Sequence, residues 1–134
     1  MAYWLIKTEP GSRSWAQQVE AGTTAWEGVA NAQALNNMRA MAVGDRAFFY
    51  HTAKEKQVVG IVEITRAFYP DPRDAASGLV DVKALAPLPR PVTLAAIKAD
   101  PALASLALVK QPRLSVLPVD DASWVRICEM GGLN

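Results

Sequence analysis

Cysteine and histidine are almost missing from this chain: Cys128 and His51 are the single representatives of each. One cysteine rules out an internal disulfide, and one histidine beside it cannot complete a four-ligand Cys/His zinc site. An excess of one charge is also missing, because 14 Lys and Arg against 13 Asp and Glu leave +1 at pH 7. That balance disfavours a tail-driven binder that gains affinity by neutralising many phosphates. No apolar run approaches the ~18 residues of a membrane helix. Lys7, Glu9 and Pro10 interrupt any signal-peptide core, so the expectation is a cytoplasmic protein with no membrane partner. Neither phosphate-cradling glycine motif occurs, and no serine sits in a G-x-S-x-G elbow. The sequence therefore leads us to expect no catalytic residue, no metal and no cofactor. What is present is a 134-residue chain with 51% hydrophobic and 20% charged residues, enough for one domain over residues 1–134 with its own core.

Tyr3 to Thr8 (YWLIKT) reads as a strand stopped by Glu9-Pro10-Gly11, with Trp4, Ile6 and Thr8 on one face and Tyr3, Leu5 and Lys7 on the other. Ser12 or Ser14 can cap a short helix that runs through Val19 to Gly22. A loop carrying Trp26, Glu27 and Gly28 follows, and then a helical stripe from Asn31 to Met41. Strands are expected at Arg46 to Thr52, at Val58 to Phe68 with a bulge at Gly60, at Leu79 to Leu85 and at Arg113 to Leu117. Tyr69-Pro70-Asp71-Pro72 should end the second of these, and Pro87, Pro89 and Pro91 the third. Thr93 caps a helix through Ala99, a short turn follows Pro101, and a last helix runs from Asp120 to Gly131. The irregular spacing does not match a doubly wound sheet. It predicts an α+β fold, a strongly bent mixed sheet closing into a small barrel flanked by short helices.

The wording is more specific than the pattern. YWLIKTEP (3–10), WEGVANAQALNN (26–37), GDRAFFYH (44–51), VGIVE (59–63), YPDP (69–72), PVTL (91–94) and RLSV (113–116) occur in that order along essentially the whole chain. Together they resemble the EVE domain family, which belongs to the PUA-like group with the YTH domains. The resemblance implies a mixed β pseudobarrel with a side pocket, and a role in recognising a modified base in DNA or RNA. Many members carry Arg, Tyr and Arg where this chain has Ala30, Ala32 and Leu35. A Trp common before the V-D-V strand has no counterpart near Ser77. These departures should reduce stacking area and phosphate attraction, leaving a pocket that is more open, weaker or tuned to another ligand.

Trp26 is the leading candidate for the pocket, since an indole in a loop can stack on a flat base. An indole there can also fold back as a lid on the core, and the resemblance favours the pocket. The Asn31 amide can pair with a base edge or cap the helix behind it. Thr8 can offer its hydroxyl, in which case Lys7 points elsewhere, to a phosphate at the rim. Phe48, Tyr50 and Thr52 share a strand face, so Tyr50 and Thr52 can close the pocket edge. Arg39, Arg46 and Arg113 are the candidate phosphate rim, against the alternative of a scattered solvated surface. His51 reads as a structural imidazole with no acidic partner evident in the sequence, and Cys128 as small packing. These residues predict a non-enzymatic domain whose partner is nucleic acid carrying a modified base. The alternative is a small-metabolite sensor, or an enzyme using the same pocket with His51 as base. Composition leaves the choice of DNA or RNA and the oligomeric state open.

Overall fold

The computed structural model describes residues 1–133. Strands β1 (Tyr3–Thr8), β2 (Thr23–Trp26), β3 (Arg46–His51), β4 (Gln57–Asp71), β5 (Asp74–Thr93) and β6 (Val116–Val119) form one sheet in the order β2-β5-β4-β3-β1-β6. β1 runs parallel to β3, and every other pairing is antiparallel. Helices α1 (Trp15–Ala21), α2 (Ala32–Ala40), α3 (Leu94–Ala99), α4 (Ala107–Lys110) and α5 (Asp121–Met130) lie between and after the strands. This is the expected α+β class, with a mixed, mostly antiparallel sheet.

Local chemistry sets the helix starts. Ser14 and Gln17 form a reciprocal capping box on α1, and Gly22 ends that helix at φ 74°. Asn31, Thr93 and Asp120 each accept a backbone N–H from the first turn of α2, α3 and α5.

Strand extents differ from the sequence reading. Trp26 ends a strand, β2, whose four residues pair with Val80–Lys83 of β5. β4 continues through Tyr69-Pro70 to Asp71, and β5 runs 20 residues through Pro87, Pro89 and Pro91. Proline survives there because β5 meets β2 only over Val80–Lys83, so its flank beyond is an edge with no ladder partner to lose. The closing strand is Val116–Val119, displaced toward the C-terminus from Arg113–Leu117. Register shifts at Phe49/Tyr50 and at Val58/Gly60 bear out the bulge at Gly60 and bend the sheet. A Cβ at Gly60 would lie 2.6 Å from the Trp15 ring, so that indole needs a glycine beneath it.

The core contains Leu5 and Ile6 of β1, Phe48 and Phe49 of β3, Met38 of α2 and Ile127 of α5. Trp124 of α5 stacks on Phe48 and Tyr3 at centroid distances of 3.9 and 4.3 Å. One buried carboxylate ties β1 to the turn before β3. Asp45 accepts from the Ala2 N–H at 3.1 Å, the Trp4 indole at 3.0 Å and the Ala42 N–H at 2.9 Å. Burial pushes its pKa up, but the donors from Ala42, Trp4 and Ala2 outweigh it and hold the carboxyl below its usual value. A carboxyl depressed in the folded state stabilises fully above its unfolded pKa of ~3.9 and loses that contribution as pH falls through the folded value. Asp45→Ala should therefore cost roughly 2–3 kcal/mol at neutral pH through the donors it strands. Urea titrations at pH 7 and pH 3 check this, and the variant should lose less than wild type between the two.

Candidate functional site

Two adjoining cavities open where β1 ends. The smaller, about 300 Å³, is walled by Trp26, Glu27, Gly28 and Val29 together with Ser12 and Arg13. The larger, about 490 Å³, runs past Tyr50 and Thr52 to Lys56, Leu94, Lys98, Leu108 and Arg113. Lys7, Thr8 and Ser115 line both and form the threshold between them.

The strands explain this convergence. Parallel pairing of β1 and β3 sets Lys7 against Tyr50 and Thr8 against His51, bringing two strand ends to one place. β6 lies on the other side of β1, and the Lys7 N–H donates to the Ser115 carbonyl at 2.9 Å just before β6 begins. Pairing of β2 with β5 then delivers Trp26 to the cavity wall. Gly28, at φ 80°, turns the chain immediately afterwards, a backbone state that suits glycine.

Trp26 is not the open platform expected of it. The indole is 4% exposed, lies edge-on to Phe49 at 5.6 Å, and has the Arg13 guanidinium 5.2 Å from its centroid. Arg13 is held there by donating to the Ala25 carbonyl at 3.0 Å. The sequence reading missed Arg13, and no motif marks it. Its one signal is its place in the turn after Glu9-Pro10-Gly11, where the chain doubles back over the sheet end. The ring is a wall of the smaller cavity, covered in part by a movable cation.

Lys7 also departs from expectation. Alternation sends it away from Thr8, yet it lines the same two cavities, because its register partner is Tyr50, whose ring walls the larger one. Its ammonium donates to the Pro112 carbonyl at 2.9 Å and sits 5.7 Å from the Tyr50 ring centroid. Burial lowers the Lys7 pKa and raises that of Tyr50. Thr8 spends its hydroxyl proton on the Arg13 carbonyl at 3.0 Å, which leaves oxygen lone pairs for the cavity. Tyr50 and Thr52 are both on the larger cavity, Tyr50 almost wholly buried in its wall.

Three other candidates lie apart. Asn31 uses its carbonyl oxygen to cap α2, accepting from Ala34 at 3.0 Å, and borders a separate depression with Gln33 and Arg113. Arg39 donates to Asn36 at 2.7 Å and covers Phe68 at 4.9 Å. Arg46 borders neither cavity; it sits near enough Cys128 to oppose the larger upward push of burial on that thiol. Of the expected rim only Arg113 faces the groove, joined there by Lys56, Lys98 and Arg13. Five cationic side chains thus line the two cavities against the carboxylates Glu9 and Glu27.

His51 borders neither cavity. Its Nε2 accepts the Trp15 N–H at 2.9 Å and its Nδ1 meets Glu55 at 2.8 Å, the acidic partner that the sequence had left unidentified. Both ring nitrogens are engaged, so neither is free to take a proton from a substrate. No group of three or more His, Cys, Asp or Glu able to hold a metal occurs among the described residues. No helix among them is long and apolar enough to cross a membrane.

A mixed sheet with a cleft at the end of its parallel pair, walled by aromatic and cationic side chains, is a PUA-like architecture. The chain belongs to the EVE domain family, whose model matches residues 2–130. It is 54% identical to a Rhodopseudomonas palustris protein solved by NMR, with a TM-score of 0.94 over 98% of this chain and 94% of that one. The crystal structure of human THYN1 protein in complex with 5-methylcytosine containing DNA is 26% identical, with a TM-score of 0.89 over 100% of this chain and 99% of that one. Chicken thymocyte nuclear protein 1 is 44% identical over 52% of this chain and 34% of its own length. The chain thus spans about a third of the curated relatives it matches.

Lys7 yields a test that needs no ligand. Because its folded pKa is lowered, the unfolded chain holds that proton more tightly, and stability rises as pH climbs from the folded pKa toward the unfolded ~10.4. Lys7→Met should leave the melting temperature at neutral pH unchanged or higher and flatten the alkaline rise, as read by thermal melts from pH 7 to 10.5.

Proposed function

We propose that this domain is a non-enzymatic nucleic-acid binder that seats one modified base in the smaller cavity and runs the adjoining strand through the larger one. The observation that carries the reading is the junction itself. A space for one flat ring beside Trp26 opens across Lys7, Thr8 and Ser115 into a second space edged by Lys56, Lys98 and Arg113. A lone pocket would suit many small molecules, whereas a ring-sized space joined to a cationic track suits a base on its backbone. The complex of human THYN1 with 5-methylcytosine containing DNA supports the same assignment.

Arg13 modifies how the base would be held. A ring entering the smaller cavity meets the guanidinium before the indole, and stacks on that plane or displaces it to reach Trp26. The Lys7 ammonium has one carbonyl partner and two further N–H donors for a phosphate at the threshold. Extruding a base from a duplex costs a few kcal/mol, so a chain of net charge +1 should prefer single strands. The enzyme alternative loses its base, since His51 borders neither cavity and both its nitrogens are occupied.

Binding should weaken as salt rises, with a slope near −0.7 per phosphate contacted on a single strand. Lys98→Ala together with Arg113→Ala should make that slope shallower by one unit or more, uniformly across sequences. Trp26→Phe and Arg13→Ala should lower affinity for a modified oligonucleotide several-fold, through lost stacking worth ~1–3 kcal/mol per base. Fluorescence polarisation across 50–300 mM salt measures both. Salt-independent binding, or unchanged affinity in the Trp26 and Arg13 variants, would remove the groove from the function.

A further inference from the structure

The smaller cavity has an acceptor held in place from outside. Glu27 follows Trp26 at the cavity wall, and Arg73, at the tip of the β4–β5 hairpin, donates to its Oε2. That tip is itself braced, because the Arg73 N–H donates to Asp71 at 2.8 Å. Two residues past Glu27 the hairpin grips the wall again, with the Ser77 hydroxyl donating to the Val29 carbonyl at 2.7 Å. The Glu27–Gly28–Val29 wall thus meets that hairpin at both ends, through an exposed ion pair at Glu27 and a bond to the backbone at Val29. Arg73 occupies one carboxylate oxygen and leaves Oε1 without a protein donor among the described residues. Thr8, also lining the cavity, donates its hydroxyl to the Arg13 carbonyl and presents lone pairs.

We infer that Glu27, positioned by Arg73, makes this cavity select a base with an exocyclic amino group, of cytosine or adenine type, over its keto counterpart. The inference rests on the base-seating reading above and names the chemical class of base. An amino N–H is complementary to a carboxylate oxygen, the pairing by which acidic side chains read the cytosine amine. A keto oxygen in the same position faces that carboxylate with no proton between them and leaves both acceptors unpaired. The distinction matters most for 5-methylcytosine and thymine, which carry the same methyl group on the same ring carbon. A cavity that recognised the methyl alone would take both, so the amino–keto edge must separate them. Ser12, Ser115 and Arg13 supply donors for the ring's remaining acceptor atoms.

The test uses single-stranded oligonucleotides identical except for one central position, which is 5-methylcytosine, thymine or abasic, with affinities read by fluorescence polarisation. Wild type should bind the 5-methylcytosine strand about tenfold or more above the thymine strand. Glu27→Gln, whose amide both donates and accepts, should narrow that ratio several-fold while the 5-methylcytosine affinity stays within a few-fold of wild type. Arg73→Ala, which unclamps Glu27, should narrow it in part. A loss of folding would weaken both strands alike, whereas the ratio moves only if Glu27 reads the base. Equal wild-type affinity for the two pyrimidines, both above the abasic strand, overturns this inference and leaves base seating standing, as does a ratio unchanged in Glu27→Gln. Equal binding of all three strands overturns base seating and the inference with it.

Discussion

Phe49 has no exposed surface, and the rings of Trp15, Trp26 and His51 stand roughly edge-on around it at 5.3, 5.6 and 5.8 Å. Edge-to-face packing of this kind fixes ring orientation as well as burying area. It requires space on the neighbouring strand, and Gly60, the residue paired with Phe49 across β3 and β4, provides it. With Trp15 seated on Gly60, its N–H reaches His51, and His51 in turn reaches Glu55. Trp26 is fixed by the same ring, so one wall of the smaller cavity is an extension of the core. A wall built this way is already in place before any ligand arrives, which lowers the ordering cost of binding.

The cavities therefore have two kinds of boundary. On the Trp26 side the indole packs on Phe49 and the Val29 carbonyl is bonded to the β4–β5 hairpin, with the exposed Glu27–Arg73 pair at the rim. On the opposite side Arg13, Lys56, Lys98 and Arg113 are long side chains that can rearrange. Near position 77, where the resemblance leads one to expect a Trp, Ser77 bonds the hairpin to the wall through the Val29 carbonyl. Leu35, in place of an arginine, is buried on α2 and adds to the core. Arg13, a planar cation, lies beside the indole.

Much of the fold was legible because its signals are local. Ser14, Asn31, Thr93 and Asp120 each begin a helix through a hydrogen bond spanning two or three residues, and the Gly60 bulge announces itself by a missing side chain. β2 was not legible, since TTAW is too short to alternate and is a strand only because β5 lies beside it. The prolines of β5 read as terminators, because the sequence does not reveal which flank of a strand lacks a partner. The site divides in the same manner. Strand period groups Tyr50 with Thr52, and both border the larger cavity, as does Thr8 at the end of β1. Arg13 could not be placed from the sequence, because its position over Trp26 follows from a chain reversal, and Lys7 could not, because its place beside Tyr50 follows from the parallel register of β1 and β3. Glu55 sits four residues from His51, yet the turn that joins them follows a strand and carries Ala53 and Lys56 at positive φ, so no helical rule revealed the pair.

The crowding of cations around the groove has a consequence for the whole molecule. The chain carries a single excess positive charge, while the groove alone holds five cations and two carboxylates, so the rest of the surface is net negative. Positive charge is thus concentrated at the groove, and the small net charge of the chain conceals it. Should the proposed polyanion be the partner, that concentration of positive charge would turn the mouth toward it before contact. On the proposed reading, ions that screen this asymmetry slow the encounter itself as well as loosening the bound state.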